Sequence, residues 1–266
     1  EAKLLAGNIW PVIRNFVVQV LIPYYALLAI MVTFANRSHV TWSGVLLYTN
    51  FEALTFGPMF PYWFIHALWQ CLLIFCLPFL IPSFREMARR KPWAAGAMML
   101  GTALLLKAVA AVIWNHDIVE YHTPDAILYM LILGWLAQHA KSGLQKAQVM
   151  VCVIVMAAID FGVGHSRTIW FDVAAAVILF LPRIKLPRIL YQLMTLIAAG
   201  SFWVYLSHPF SIQLIRYQIG IRNLTATVII SAIMGVLVER CWTYGRRWLR
   251  NRGKELASNE ALFAVK

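Results

Sequence analysis

Charge is scarce in this sequence: 13% of its 266 residues are charged, where a soluble domain of that length carries roughly a quarter. The shortage excludes a water-soluble globule, because 61% of the residues are hydrophobic and the mean hydropathy is +0.70. Acidic residues are the scarcer sign, 11 against 23 Lys and Arg, which leaves a formal net charge of +12. The excess does not point to a nucleic-acid partner, since the basic residues sit mostly in short loops between apolar stretches and in the C-terminal tail. Cysteine is limited to Cys71, Cys76, Cys152 and Cys241, all within or at the ends of apolar spans, and no structural disulfide is expected. No HxxxH or HExxH pattern is present, and His116 and His122 with Asp117 and Glu120 are a weak ligand set, so no metal is expected. The first residues, EAKLLAGNIWPVIRNF, lack an initiating Met and a small-residue cleavage pattern, so they are not a signal peptide and are expected to start inside a longer protein. No repeat and no low-complexity linker divides the chain, which predicts one transmembrane domain over 1–245 and a basic cytoplasmic tail over 246–266.

Long apolar runs are what the sequence does have. Stretches of about 18 to 25 residues recur, and a chain in lipid must satisfy its backbone polar groups internally, so each run is assigned as a helix. The expected architecture is an all-α polytopic bundle of about eight spans, at 10–35, 60–82, 93–114, 123–139, 147–164, 168–182, 188–212 and 222–244. Breakers mark several ends, at Pro58, Pro82, Pro92, Pro124, Pro182 and Pro187, with Thr123 as an N-cap before Pro124. Threading these spans puts 18 basic residues on one side, among them Lys3, Arg14, Arg85, Lys141, Lys185 and Arg246. The other side has 4, namely Arg37, Arg167, Arg216 and Arg222, and Lys107 stays inside a span. Positive loops stay in the cytoplasm, so both termini are expected there, with the protein integral to a bacterial inner membrane. The tail's basic start with Trp248 and Leu249 suits either an interfacial helix on anionic lipid or a simple stop signal.

Ionisable groups inside a bilayer face a partner or a wet interior, and each is a candidate for function. Lys107 lies mid-span, Asp160 near the outer end of its helix and Asp172 in the next helix, either as a structural ion pair or as a site. His39, His66, His116, His122, His165 and His208 all fall toward the extracytoplasmic half, and His139 alone toward the cytoplasm. A neutral imidazole can take a proton from a hydroxyl near pH 7, and an interfacial histidine can equally well be a group that tolerates both phases. Trp10, Trp63, Trp69, Trp93, Trp114, Trp170 and Trp203 lie in or near the ends of spans, mostly as interface anchors.

Three segments carry more than membrane composition: WPVIRNFVVQVLIPYY at 10–25, PYWFIHALWQ at 61–70 running into LLIFCLPFLIP, and GSFWVYLSHP at 200–209. Their motifs, order and spacing resemble the acyltransferase-3 family, the last segment through its Ser, Tyr four residues on, Leu and His-Pro pair. The resemblance covers nearly the whole chain and implies a ten-helix fold whose first two helices have no counterpart here. It implies transfer of an acyl group, often acetyl from acetyl-CoA, to a hydroxyl of a glycan, lipid or small molecule, with membrane lipids around it. The family's histidine on its first helix is absent from these residues, so upstream helices or a partner subunit would supply it. The family's Arg-x-x-Arg is reduced to Arg14, and Arg85, Arg89, Arg90, Lys91 and Arg183 to Arg188 offer cytoplasmic charge for a donor's phosphates.

With the resemblance, His208, Tyr205 and His66 take the catalytic roles, and Ser201, Trp63, Arg14, Lys107, Asp160 and Asp172 the substrate-binding ones. Spacings of four and three residues put Ser201, Tyr205 and His208 along one helical face, which is expected to meet Trp63 and His66 or else to be a packing stripe. Two other classes stay open: a transporter or flippase built around Lys107 and the two aspartates, and a non-catalytic membrane subunit with the same fold.

Overall fold

Helices account for the regular structure throughout, as lipid requires of any chain that crosses it without closing a barrel. The computed structural model describes residues 2–34, 41–51, 62–114, 123–181, 185–213, 220 and 223–264, and no strand occurs among them. Outside the described residues lie Arg37, His39, Pro58, Pro61, His116, Asp117, Glu120, His122, Pro182, Arg183, Arg216, Arg222 and Lys266. The chain divides into two compact units, Glu1–Ile184 and Lys185–Lys266.

The first unit opens with α1 (Ala2–Leu5) and α2 (Trp10–Phe16), then a wide π-type turn (Val17–Leu21) that leads into α3 (Ile22–Phe34). Pro23 explains the wide turn: its ring lacks an N–H and would press on the carbonyl one turn earlier, so the helix loosens just before it. A short α4 (Trp42–Val45) and a 3-10 turn (Thr49–Phe51) precede α5 (Trp63–Cys76), which continues as a 3-10 turn (Leu77–Leu80). There follow α6 (Pro82–Arg90), α7 (Pro92–Trp114), α8 (Pro124–His139), α9 (Gly143–Phe161) and α10 (Ser166–Phe180). Among the described residues, 6 helices are long and apolar enough to cross a membrane. The other expected spans are α8 and α10, of 16 and 15 residues.

α8 forms the centre of the first unit. It is apolar on every side, and Tyr129, Ile132, Leu133, Trp135 and Leu136 are all buried as it packs against α5, α7 and α9. Thr123 stands at its N-cap with extended backbone, as expected, and Pro124 follows in the first turn, though the threonine side chain makes no cap bond. An aromatic cluster of Phe75, Phe79, Phe84 and Trp135 packs where α5, the turn after it, α6 and α8 meet, with the Trp135 Nε1 donating to the Pro92 carbonyl at 3.2 Å.

Helix α6 was expected as a plain basic loop and is instead an amphipathic helix. Phe84 and Ala88 are buried on one face, whereas Arg89 and Arg90 are exposed on the other. Two of its cations already have structural work: Arg85 donates to the carbonyls of Phe79 and Leu80 at 3.1 and 3.3 Å, and Arg89 to that of Leu5 at 3.3 Å. These carbonyls lie at helix ends, where no intrahelical donor reaches them.

The second unit is a hairpin of α11 (Arg188–Gln213) and α12 (Leu224–Ala264). The boundary expected near Gly245 falls inside α12, which runs on unbroken through the basic segment. Gly200 and Gly235 let the two backbones approach: a Cβ on Gly235 would lie 2.5 Å from the Cα and the N of Val204. Those are backbone atoms and cannot rotate away. Gly235→Ala is therefore expected to cost about 1–3 kcal/mol, read as earlier thermal unfolding in detergent. Gly245→Ala, with nothing within 4 Å of the added carbon, serves as the control and should unfold no earlier than the parent.

Candidate active site

His66 sits in the first turns of α5, and it is fully buried together with Tyr24 of α3 and Tyr62. The Tyr24 hydroxyl lies 2.8 Å from His66 Nε2 and donates to the Gly44 carbonyl, also at 2.8 Å. The Tyr24 ring meets the imidazole edge-on, with centroids 5.4 Å apart, and meets Tyr62 in the same way at 5.8 Å. The other ring nitrogen, Nδ1, is buried with no hydrogen-bond partner among the described residues. A buried polar atom left unpaired costs about 1–3 kcal/mol, so it calls for a partner from outside the described chain.

The segment over this histidine is pinned by side chains of the spans beneath it. Tyr25 donates to the Val45 carbonyl at 2.8 Å, and Gln70 Nε2 to the Leu47 carbonyl at 2.8 Å. Asn50 and Gln70 exchange reciprocal amide bonds of 2.8 and 3.1 Å. Thr41 caps α4 by accepting from the Gly44 amide at 3.2 Å, and the turn at Leu47 takes a positive φ of 62°.

A second polar cluster joins α7, α8 and α9. Lys107 Nζ lies 2.7 Å from Asp160 Oδ1 and donates to the Ala126 carbonyl at 3.2 Å, and the Tyr129 hydroxyl donates to Asp160 Oδ2. The ammonium also lies 5.1 Å from the Tyr129 ring centroid. Lys107, Asp160 and Tyr129 are all buried. Between the alternatives left open for Lys107, this geometry is a closed ion pair: both carboxylate oxygens are engaged. Asp172 is not its partner. It is half-buried on α10, and its Oδ1 has no partner among the described residues.

The remaining candidates scatter. Trp63 is half-buried one turn before His66, with its ring edge-to-face on Phe64 at 5.8 Å, and Arg14 is exposed on α2. Ser201 is exposed on α11, where it donates to the Ala198 carbonyl of its own helix at 2.8 Å, and Tyr205 is half-buried on the same helix. His208 lies on α11 too, its side chain outside what is described. This stripe belongs to the second unit and Trp63 and His66 to the first, and their meeting stands as a proposal. His165 serves as the N-cap of α10, accepting from the Arg167 amide at 3.2 Å, and His139 lies tilted against Trp135 with ring centroids 4.6 Å apart. Of the histidines expected on the outer side, two have described side chains, and His66 is buried whereas His165 is exposed.

Sequence reading missed Tyr24, although the Pro-Tyr-Tyr that ends the segment at 10–25 contains it, and it missed Gln70, the last residue of PYWFIHALWQ. It also missed Tyr129 as the third member of the ion-pair cluster.

Residues 7–239 match the family model described as an acyltransferase domain. Neither the search of curated proteins nor that of solved structures gave a match.

Proposed function

The chain belongs to the acyltransferase-3 family, and from that premise we propose that it moves an acyl group, in the first instance acetyl, from a coenzyme A thioester to a hydroxyl of a glycan, lipid or small molecule. The observation that carries the reading is His66, a buried imidazole tied at one nitrogen and unpartnered at the other. In this mechanism Nδ1 takes the proton of the acceptor hydroxyl while the oxygen forms its bond to the acyl carbon. The C–S bond breaks, its electron pair leaves on the thiolate, and the proton held by the imidazole passes to that sulfur. Lys91, exposed just after α6, is the nearer choice for the donor's phosphates, since Arg85 and Arg89 hold backbone carbonyls and Arg90 pairs with Glu86.

The acceptor is proposed to bind on the outer side and the donor on the cytoplasmic side, with both termini cytoplasmic in an inner membrane. Cysteines placed at positions 116 and 142 in a background without native cysteines should label from opposite sides of the membrane. Labelling from one side would overturn the orientation.

A transport reading draws less support, because Lys107 and Asp160 satisfy one another and leave it only Asp172 of its three candidate charges. The deciding experiment uses the full-length protein in membranes with acetyl-CoA labelled in the acetyl group. Label in an alkali-labile ester, with free CoA released, is the expected result. No transfer, together with a co-purified ion or solute and no CoA species by mass spectrometry, would overturn the reading.

A further inference from the structure

We propose that Tyr24 is a positioning residue for acyl transfer, one that holds His66 with its proton on Nε2 and its lone pair on Nδ1. The inference rests on the reading of His66 as the base. A phenol has one proton, and the Gly44 carbonyl can only accept it, so the 2.8 Å bond between them fixes where that proton goes. The same oxygen lies 2.8 Å from Nε2 and has only lone pairs left to offer. The hydrogen in that second bond must come from the ring. A neutral imidazole carries a single N–H, so Nδ1 is left as a bare acceptor, the form a general base needs.

The arrangement depends on the Gly44 carbonyl staying in place, and the chain invests several groups in that. Thr41 caps the Gly44 amide, and the neighbouring carbonyls of Val45 and Leu47 are bound by Tyr25 and Gln70. Pro23 and the wide turn before it deliver Tyr24 to this position, fully buried and edge-on to the imidazole. Tyr24 touches no reacting atom in this scheme. It acts through the histidine, as the orienting acid does in other imidazole-based sites. An acceptor hydroxyl must then approach from the Nδ1 side, and its proton is taken there as the oxygen closes on the acyl carbon.

The test is nitrogen NMR on full-length protein labelled with 15N-histidine in lipid bilayers, with the His66 signals assigned by their loss in His66→Gln. The wild type should show a protonated Nε2 and a bare Nδ1. Tyr24→Phe should lose that single tautomer and reduce kcat for acyl transfer by at least about tenfold while KM for the donor stays unchanged. A wild-type proton on Nδ1 overturns the role given to Tyr24 whether or not the protein transfers acyl groups, and this spectrum decides even where Tyr24→Phe fails to fold. A folded Tyr24→Phe that keeps both tautomer and rate overturns it as well. A bare Nδ1 in a wild type without transferase activity would instead uphold the hydrogen-bond role of Tyr24 and remove the acyl-transfer reading.

Discussion

Lys107→Met is expected to destabilise the first unit by about 3–5 kcal/mol, because it leaves the Asp160 carboxylate buried with its charge uncompensated. Asp160 is 1% exposed, and in the parent its two oxygens receive Lys107 and Tyr129. Asp160→Asn strands the ammonium in the same way, with the Ala126 carbonyl and the Tyr129 ring as its remaining contacts. Combined, Lys107→Met and Asp160→Asn remove both charges, and the asparagine can still receive the Tyr129 hydroxyl. The double variant should therefore recover most of the loss, a coupling that only a direct pair gives. Thermal unfolding in detergent reads all three. Should Lys107→Met alone unfold at the parent's temperature, the pair does not hold α7 to α9. Acyl transfer retained in a folded double variant would also end the substrate-binding role that the sequence suggested for both residues.

Why this pair was ambiguous in the sequence, and the spans were not, follows from the range of each interaction. A helix in lipid is dictated locally: about 20 apolar residues must bond their own backbone, so the spans at 93–114 and 123–139 emerge as α7 and α8 almost to the residue. The choice between Asp160 and Asp172 as partner of Lys107 is tertiary. It turns on α9 packing against α8 while α10 packs against α9, an order of helices that periodicity does not contain. Helix α6 was missed for another reason: its nine residues read as a charge run, although Phe84 and Ala88, four apart, already mark one face. The Tyr24–Gly44–His66 contact was least legible. It depends on Gly44 lying against α3, held there by side chains about 20 residues away, Tyr25 on the Val45 carbonyl and Gln70 on that of Leu47, which periodicity does not reveal. His66 itself stood out in the sequence as a histidine within an apolar span, but its burial and its contact with Tyr24 are tertiary and left no local mark.

His66→Gln is expected to lower kcat for acyl transfer by about 10²–10⁴-fold, the usual contribution of a positioned proton acceptor, which corresponds to about 3–5 kcal/mol of barrier. Glutamine is the informative replacement. Its amide can still donate to the Tyr24 hydroxyl and so keep the hydrogen bond that ties α5 to α3, but it cannot take a proton from an acceptor hydroxyl. Folding should survive, checked by gel filtration, and the loss should then appear in kcat with little change in KM for the thioester. The same assay separates the two units. His208→Ala and Tyr205→Phe, on the helix that carries the Ser-Tyr-His spacing, should slow transfer as well if that stripe lines the acceptor site. Should both turn over at the parent's rate while His66→Gln does not, the stripe is packing, and the proton is handled by α5 with α3 at its back. Should His66→Gln itself turn over at the parent's rate, the base lies elsewhere, and the buried imidazole is a structural group that happens to lack a partner at Nδ1.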